Sequence, residues 1–163
     1  MNLILLNRQR IRPIQRVPLI ALTRFLIDCA FPKSNQRPVE ITLTLVDHKR
    51  IRPLKQRYWK QNVTTDVITF TYDAPPPAPA GARIGDLIVN VQQAVDVGPR
   101  QGGEIHELAL YLAHGLDHLT GADDADPSHR LAMRRRELAW LRRARAAGLL
   151  CNVFGPSGQG ARA

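Results

Sequence analysis

Hydrophobic and polar residues alternate in several segments of the chain. The clearest is residues 39–47, VEITLTLVD, where valine, isoleucine and leucine alternate with glutamate and threonine. A period of two is typical of a strand with one buried face. Three other segments rich in apolar or β-branched residues are also predicted to be strands: residues 2–9, 64–73 and 83–94.

Elsewhere apolar residues recur every three or four positions, which is the spacing of a buried helix face. This spacing predicts helices over residues 17–31 and 104–119, a short helix around residues 53–59, and a last helix that starts near Pro127. Asp126 is a suitable N-cap for the last helix, and Gly121 is a suitable C-cap for the one before it.

These elements predict a single α+β domain over residues 1–150. The domain is predicted to contain a mixed, mostly four-stranded sheet that packs with about five helices. We expect these helices on one side of the sheet. A chain of 163 residues buries roughly two-thirds of the surface that its unfolded form exposes, which suits one domain. Residues 151–163 are mainly small and polar, and they are predicted to form a short flexible C-terminal tail.

The charge balance favours a polyanionic partner. The chain has 23 Lys and Arg against 14 Asp and Glu, a formal net charge of +9. Basic side chains that neutralise phosphates release condensed counterions, which favours binding to nucleic acid. In the arginine-rich run RRRELAWLRRAR of the last helix, Arg134 and Arg135 are candidates for contacts with RNA phosphates.

The sequence predicts a cytoplasmic protein. The opening MNLILLN is shorter than the apolar core of an export signal, and no run of about twenty apolar residues predicts a membrane span. The two cysteines, Cys29 and Cys151, cannot form a disulfide framework, which fits a reducing compartment.

The stretch HGLDHLTGADD, residues 114–124, carries the clearest chemistry. His114 and His118 are four residues apart and therefore share one helix face, where both rings can reach one cation. Gly121 lets the chain turn back, so that the next loop can supply a third ligand. The candidates for that third ligand are Asp123, Asp124, Asp126 and His129.

The same stretch resembles the signature H-G-x-L-H-L-x-G-Y-D-H of the YbeY-type endoribonucleases, which are ribosomal-RNA maturation factors. TTDVITF at residues 64–70 is similar to the T-D-V-L-S-F segment of that family, and IGDLIVNVQQA at residues 84–94 is similar to its L-G-D-I-x-I segment. The similar segments follow the order of the family along most of the chain.

This resemblance implies a zinc-dependent hydrolase of single-stranded RNA, with the zinc held by three histidines in a cleft. It also implies a role in 3′-end maturation of small-subunit (16S) ribosomal RNA, in ribosome biogenesis and in ribosome quality control. The partners implied are ribosomal RNA, the small ribosomal subunit and its assembly factors.

One departure from the signature concerns the metal. The third histidine of the family corresponds to Asp124, so the predicted ligands are His114, His118 and Asp124, with one zinc per chain. A carboxylate is a harder ligand and makes Mn²⁺ or Fe²⁺ more competitive. His129 is the alternative third ligand. The only catalytic group predicted is a metal-bound water, while Asp123 either orients a ligand imidazole or caps loop amides.

A second departure concerns phosphate binding. The family has L-N-x-x-Y-R where this chain has LKQRYW, so Trp59 replaces an arginine that faces the active site. Trp59 offers stacking on a base, and Arg57 or Lys60 can supply the missing cation. If the changes at Asp117, Asp124 and Trp59 disable the site, the alternative function is a non-catalytic RNA-binding or ribosome-assembly protein of the same fold.

Overall fold

The computed structural model describes residues 1–156, which form four strands and five α-helices. The strands are β1 (Asn2–Asn7), β2 (Glu40–Val46), β3 (Val67–Asp73) and β4 (Arg83–Asn90). The helices are α1 (Arg16–Ala30), α2 (His48–Trp59), α3 (Val91–Val97), α4 (Glu104–Leu119) and α5 (Pro127–Ala146). No helix in this part of the chain combines the length and the apolar character needed to cross a membrane.

The strands form one mixed sheet in the order β1-β2-β4-β3. β2 pairs in parallel with both β1 and β4, whereas β3 pairs antiparallel with β4 and lies at the edge. The predicted α+β domain with a four-stranded mixed sheet and about five helices is confirmed. The edge position of β3 matters for function because its start, at Val67, lies beside the candidate site.

The central helix is α4, which packs on the sheet and is covered by α1, α3 and α5. Leu108, Leu112 and Leu116 are fully buried along it. Gly115 faces the sheet so closely that an added Cβ would collide with Leu87. Glycine therefore allows the helix to approach the sheet closely here, next to His114.

The prediction that the helices lie on one side of the sheet is wrong for α2. Ile51 of α2 is fully buried against Val46 and Ile68, with Ile88 packed alongside. Since Leu87 faces α4, its neighbour Ile88 points to the opposite face, and α2 lies there. The apolar residues at this end of the strands are thus covered on both faces.

Several predicted boundaries differ from the structure, two of them by four residues or more. The strand predicted over residues 83–94 ends at Asn90. The Asn90 side chain accepts a hydrogen bond from the Gln93 amide and so forms the N-cap of α3. The helix predicted around residues 53–59 begins earlier, at His48, where Asp47 caps the Arg50 amide.

The first residues of the predicted flexible tail include some that are packed against the rest of the domain. Val153 is fully buried, and its carbonyl accepts a hydrogen bond of 2.8 Å from the Gln15 amide. Phe154 forms a bridge with Ile14, and the Gly155 amide donates to Pro13 at 2.9 Å. These contacts anchor residues 153–155 to the segment before α1. Residues 157–163 of the predicted tail lie outside the described residues.

Candidate metal centre

His114 and His118 converge as their spacing on α4 predicts. Their Nε2 atoms are 3.2 Å apart, and the ring centroids are 4.5 Å apart. Two nitrogen ligands at 2.0–2.1 Å from a tetrahedral zinc ion would be about 3.3 to 3.4 Å apart. The two ring nitrogens therefore already have the separation that one shared cation requires.

The far nitrogen of each ring is held by an acceptor. Nδ1 of His114 lies 2.7 Å from Oε1 of Glu137, and Nδ1 of His118 lies 3.0 Å from the carbonyl oxygen of Ala122. An ionised carboxylate and a carbonyl only accept hydrogen bonds, so each Nδ1 carries a proton. In the neutral rings both Nε2 lone pairs then face each other, an arrangement that a cation between them stabilises.

Asp124 completes the group. Its Oδ2 lies 3.9 Å from Nε2 of His114, and the ligand atoms of His114, His118 and Asp124 lie within 4.8 Å of one another. Gly121, with φ of +94°, turns the chain after α4. The Arg130 guanidinium then donates two hydrogen bonds of 3.1 Å to the Asp124 carbonyl and holds the loop. Two imidazoles and a carboxylate form a donor set suited to a catalytic metal.

His129 is not part of this group. It is exposed in the first turn of α5, where its amide donates to the capping carboxylate of Asp126. Within residues 1–156 the group of potential ligands that the structure brings together contains Asp124 and not His129.

Asp123 does not orient a ligand imidazole. It is exposed and accepts a hydrogen bond of 3.1 Å from the Ala125 amide, which is the loop-capping alternative. The carboxylate beside His114 belongs instead to Glu137, which is only 2% exposed. Sequence reasoning missed this role because Glu137 is 23 positions from His114. The available signal was its place on the apolar stripe of α5 with Met133, Trp140 and Leu141.

Glu137 also changes the basicity of its partner. Burial lowers the pKa of His114, but the hydrogen bond and the negative charge of Glu137, together with the charges of Asp66 and Asp124, act in the opposite direction, and the net pKa is raised. A more basic imidazole is a stronger donor to a cation.

Two cavities meet at the ligand group. The first is about 440 Å³ and is also lined by Lys55 and Trp59. The second is about 360 Å³ and is also lined by Arg130 and Arg134. Both share Asp66, His114 and Asp124. The candidate centre thus lies in a cleft that continues on both sides of it.

The predicted RNA-binding residues divide into two groups. Trp59 and Arg134 line the cleft, as described above. Arg57, Lys60 and Arg135 are not among the residues that line these two cavities. The Arg57 guanidinium lies 5.6 Å from the Tyr58 ring centroid, and the Lys60 ammonium lies 3.4 Å from the Arg57 carbonyl.

Two cations of the cleft were missed by sequence reasoning. The Lys55 ammonium lies 5.1 Å from the Trp59 ring centroid, so the helical turn of α2 brings a cation to the position that lacks the family arginine. Arg130 reaches the cleft from the first turns of α5. The helical spacing of Lys55 and Trp59 was a usable signal for the first of them.

Asp117, which replaces a leucine of the signature, is paired with Arg136 of α5. It is 1% exposed, and both of its oxygens accept from the Arg136 guanidinium at 2.7 to 3.1 Å. Burial raises the pKa of Asp117, while the Arg136 hydrogen bonds and charge act in the opposite direction. The pair ties α4 to α5, so this departure is a structural exchange outside the candidate centre.

Comparison with known proteins agrees with this architecture. The family model described as Endoribonuclease YbeY matches residues 5–145, which include all three candidate ligands. An Endoribonuclease YbeY from Anaeromyxobacter dehalogenans is 36% identical over 112 residues, which are 68% of this chain and 55% of that protein. One from Elusimicrobium minutum is 33% identical over 108 residues, 66% of this chain and 76% of that protein.

The fold also has a counterpart among solved structures. The solution structure of a Thermotoga maritima protein covers 98% of this chain and 99% of its own, with a TM-score of 0.55 and 17% identity. This likeness concerns the fold alone. The fold and the ligand cluster are those of an α+β protein with a candidate metal site in a cleft. The family match then identifies the chain as a member of the YbeY endoribonuclease family.

Proposed function

We propose that this protein is a metal-dependent endoribonuclease that cuts single-stranded RNA. One observation carries the proposal: the group His114, His118 and Asp124 lies where two cavities meet, with cationic side chains in both. The relatives carry the name Endoribonuclease YbeY, and the matched segments span 55% and 76% of the two described above. The net charge of +9 favours RNA as the polyanion.

The cation we propose is one zinc ion per chain, with His114, His118 and Asp124 as ligands. Three protein ligands of this kind leave a position open for water or substrate, as catalytic zinc sites require. The carboxylate also suits Mn²⁺ or Fe²⁺, which compete with zinc here. When bound, the cation would polarise the phosphodiester and lower the pKa of water.

The residues of the chain perform the other tasks. Glu137 and the Ala122 carbonyl fix the orientation of the two imidazoles. Lys55 lines the cavity on one side and Arg134 the cavity on the other, and we expect them to contact phosphates before and after the scissile bond. The Asp66 carboxylate lines both cavities, and its Oδ1 accepts from the Val67 amide and the Thr65 hydroxyl. These hydrogen bonds hold the start of β3 at the centre of the cleft.

A cleft that continues on both sides of the metal admits an internal segment of a strand. The test is a circular, unstructured RNA, which has no ends for an exonuclease. With zinc supplied, we expect full-length linear RNA as the first product, and no cutting of a duplex of the same sequence. A protein that holds about one metal ion per chain and leaves the circle intact would contradict the proposal and favour the alternative, a non-catalytic RNA-binding or ribosome-assembly protein.

The proposed substrate is ribosomal RNA near the 3′ end of the small-subunit (16S) molecule, in ribosome maturation and quality control. The small ribosomal subunit and assembly factors are the proposed partners, and the proposed location is the cytoplasm. The resemblance of residues 114–124 to the family signature and the basic charge of the chain support this finer proposal.

Glu137→Gln is expected to weaken metal binding by roughly 10- to 100-fold, the usual effect of losing a carboxylate behind a ligand imidazole. The amide keeps the shape of the side chain but loses the charge that makes His114 more basic. The measurement is zinc affinity by competition with a chromophoric chelator. Glu107→Gln is the matched control, since Glu107 is also buried, at 6% exposure, and contacts Tyr111. Equal affinities of the two variants would contradict the role of Glu137.

A further inference from the structure

Four aromatic rings form a continuous row around the edge of the sheet at β3. Tyr58 and Trp59 end α2, and their ring centroids are 6.0 Å apart. Phe70 of β3 lies 4.8 Å from Tyr58 and 6.0 Å from Trp59, and Tyr72 follows at 6.2 Å from Phe70. Phe70 is half-buried, but Tyr58 is 52% exposed and Trp59 is 44% exposed. The rings of Tyr58 and Trp59 are therefore exposed to solvent, although both also pack against Phe70.

Trp59 connects this row to the metal centre. It lines the same cavity as His114, His118 and Asp124, and it also packs against Phe70 on the α2 side of the sheet. An RNA strand that leaves the cleft at Trp59 would therefore contact Tyr58 next. The row begins at the candidate site and leads away from it.

The charges along the row differ between its ends. At the cleft end, the Lys55 ammonium lies 5.1 Å from the Trp59 ring centroid and the Arg57 guanidinium lies 5.6 Å from that of Tyr58. At the far end, Tyr72 lies against the Asp86 carboxylate. Aromatic rings with adjacent cations suit a nucleobase with its phosphate, whereas a carboxylate repels the phosphate.

We propose that Trp59 and Tyr58 form a stacking platform, which binds unpaired nucleobases of an RNA strand as it leaves the metal cleft. Lys55 and Arg57 contact the phosphates of the same nucleotides. This inference rests on the proposed function for the identity of its ligand and adds a subsite to it. It also predicts a preference for single strands, because bases inside a duplex cannot present their faces to the rings.

The test uses the intrinsic fluorescence of the full chain, which has two tryptophans. Trp140 is 7% exposed in the core, so Trp140→Phe leaves Trp59 as the single reporter. Short oligouridine, added with EDTA to prevent cleavage, is expected to quench this reporter, while duplex RNA is not. Labelled oligouridine then gives the affinity by anisotropy. Trp59→Ala and Tyr58→Ala are each expected to raise Kd by roughly 5- to 150-fold, the range for the loss of one stacked base.

Tyr72→Ala is the matched control, because Tyr72 has the same 44% exposure as Trp59 and belongs to the same row. We expect its Kd to equal that of the wild type. Circular dichroism melts of each variant separate a loss of fold from a loss of binding. Unchanged Kd in folded Trp59→Ala, or an equal loss in Tyr72→Ala, would overturn the platform.

This result is separable from the fate of the nuclease proposal. Quenching of Trp59 with no cleavage of circular RNA would uphold the platform and reject the nuclease. Cleavage by the wild type with unchanged KM in Trp59→Ala and Tyr58→Ala would uphold the nuclease and reject the platform.

Discussion

His118→Ala is expected to abolish stoichiometric metal binding and to lower the rate of RNA cleavage by roughly a thousand-fold or more. The variant removes one of two nitrogens that lie 3.2 Å apart and face a common point. A catalytic metal typically stabilises the transition state by several kcal/mol. A loss of about 4 kcal/mol lowers the rate by three orders of magnitude. The measurements are zinc per chain by elemental analysis and initial cleavage rates of a single-stranded RNA at saturating substrate.

His129→Ala is the matched control for this experiment. His129 is an exposed histidine at the start of α5 and lies outside the ligand group. We expect its metal content and its cleavage rate to equal those of the wild type. Loss of metal in His129→Ala, or full metal content in His118→Ala, would contradict the assigned ligand set.

The secondary structure could be predicted where a regular pattern of apolar residues extends over a whole element. The alternation in residues 39–47 predicted β2, and helical spacing predicted α4 with the bounds that the structure has, Glu104–Leu119. The seven-residue helix α3 was not predicted, because it follows β4 directly and is also rich in valine. Only the capping by the Asn90 side chain separates the two elements.

The site was predictable where it depends on local sequence. His114 and His118 share one helix, so their spacing was enough to predict that they converge. Spacing left four candidates for the third ligand, and the resemblance to the family signature selected Asp124, which lies beside them after the turn at Gly121. Glu137 and Lys55 reach the same region only because α5 and the end of α2 pack there. Contacts between distant elements depend on tertiary packing, and the hydrophobic periodicity of a single segment does not show which elements pack together.

Asp117 departs from the family signature, but this departure does not indicate a disabled site. Asp117 stands where the family has leucine, and in the structure its buried carboxylate is paired with Arg136. A buried carboxylate is costly to desolvate unless excellent hydrogen bonds compensate, and the guanidinium provides four contacts to its two oxygens. In this chain the ion pair joins α4 to α5.

Arg136→Met is therefore expected to lower the free energy of unfolding by about 3 kcal/mol, since it leaves the carboxylate of Asp117 buried without a partner. Asp117→Leu should cost less, because Arg136 is 43% exposed on its side chain and can turn to water. The double variant, with leucine and methionine, should come close to wild-type stability, since a packed apolar pair often replaces a buried ion pair at no net cost.

Urea unfolding of the four proteins gives the coupling energy in a double-mutant cycle. Zinc content should follow the wild type in every variant that is folded, because neither side chain belongs to the ligand group. Additive losses in the double variant would contradict the proposed exchange, and so would an Asp117→Leu variant less stable than Arg136→Met. Recovery of stability in the double variant would explain how this chain departs from the signature at Asp117 and still keeps α5, with Glu137, against His114.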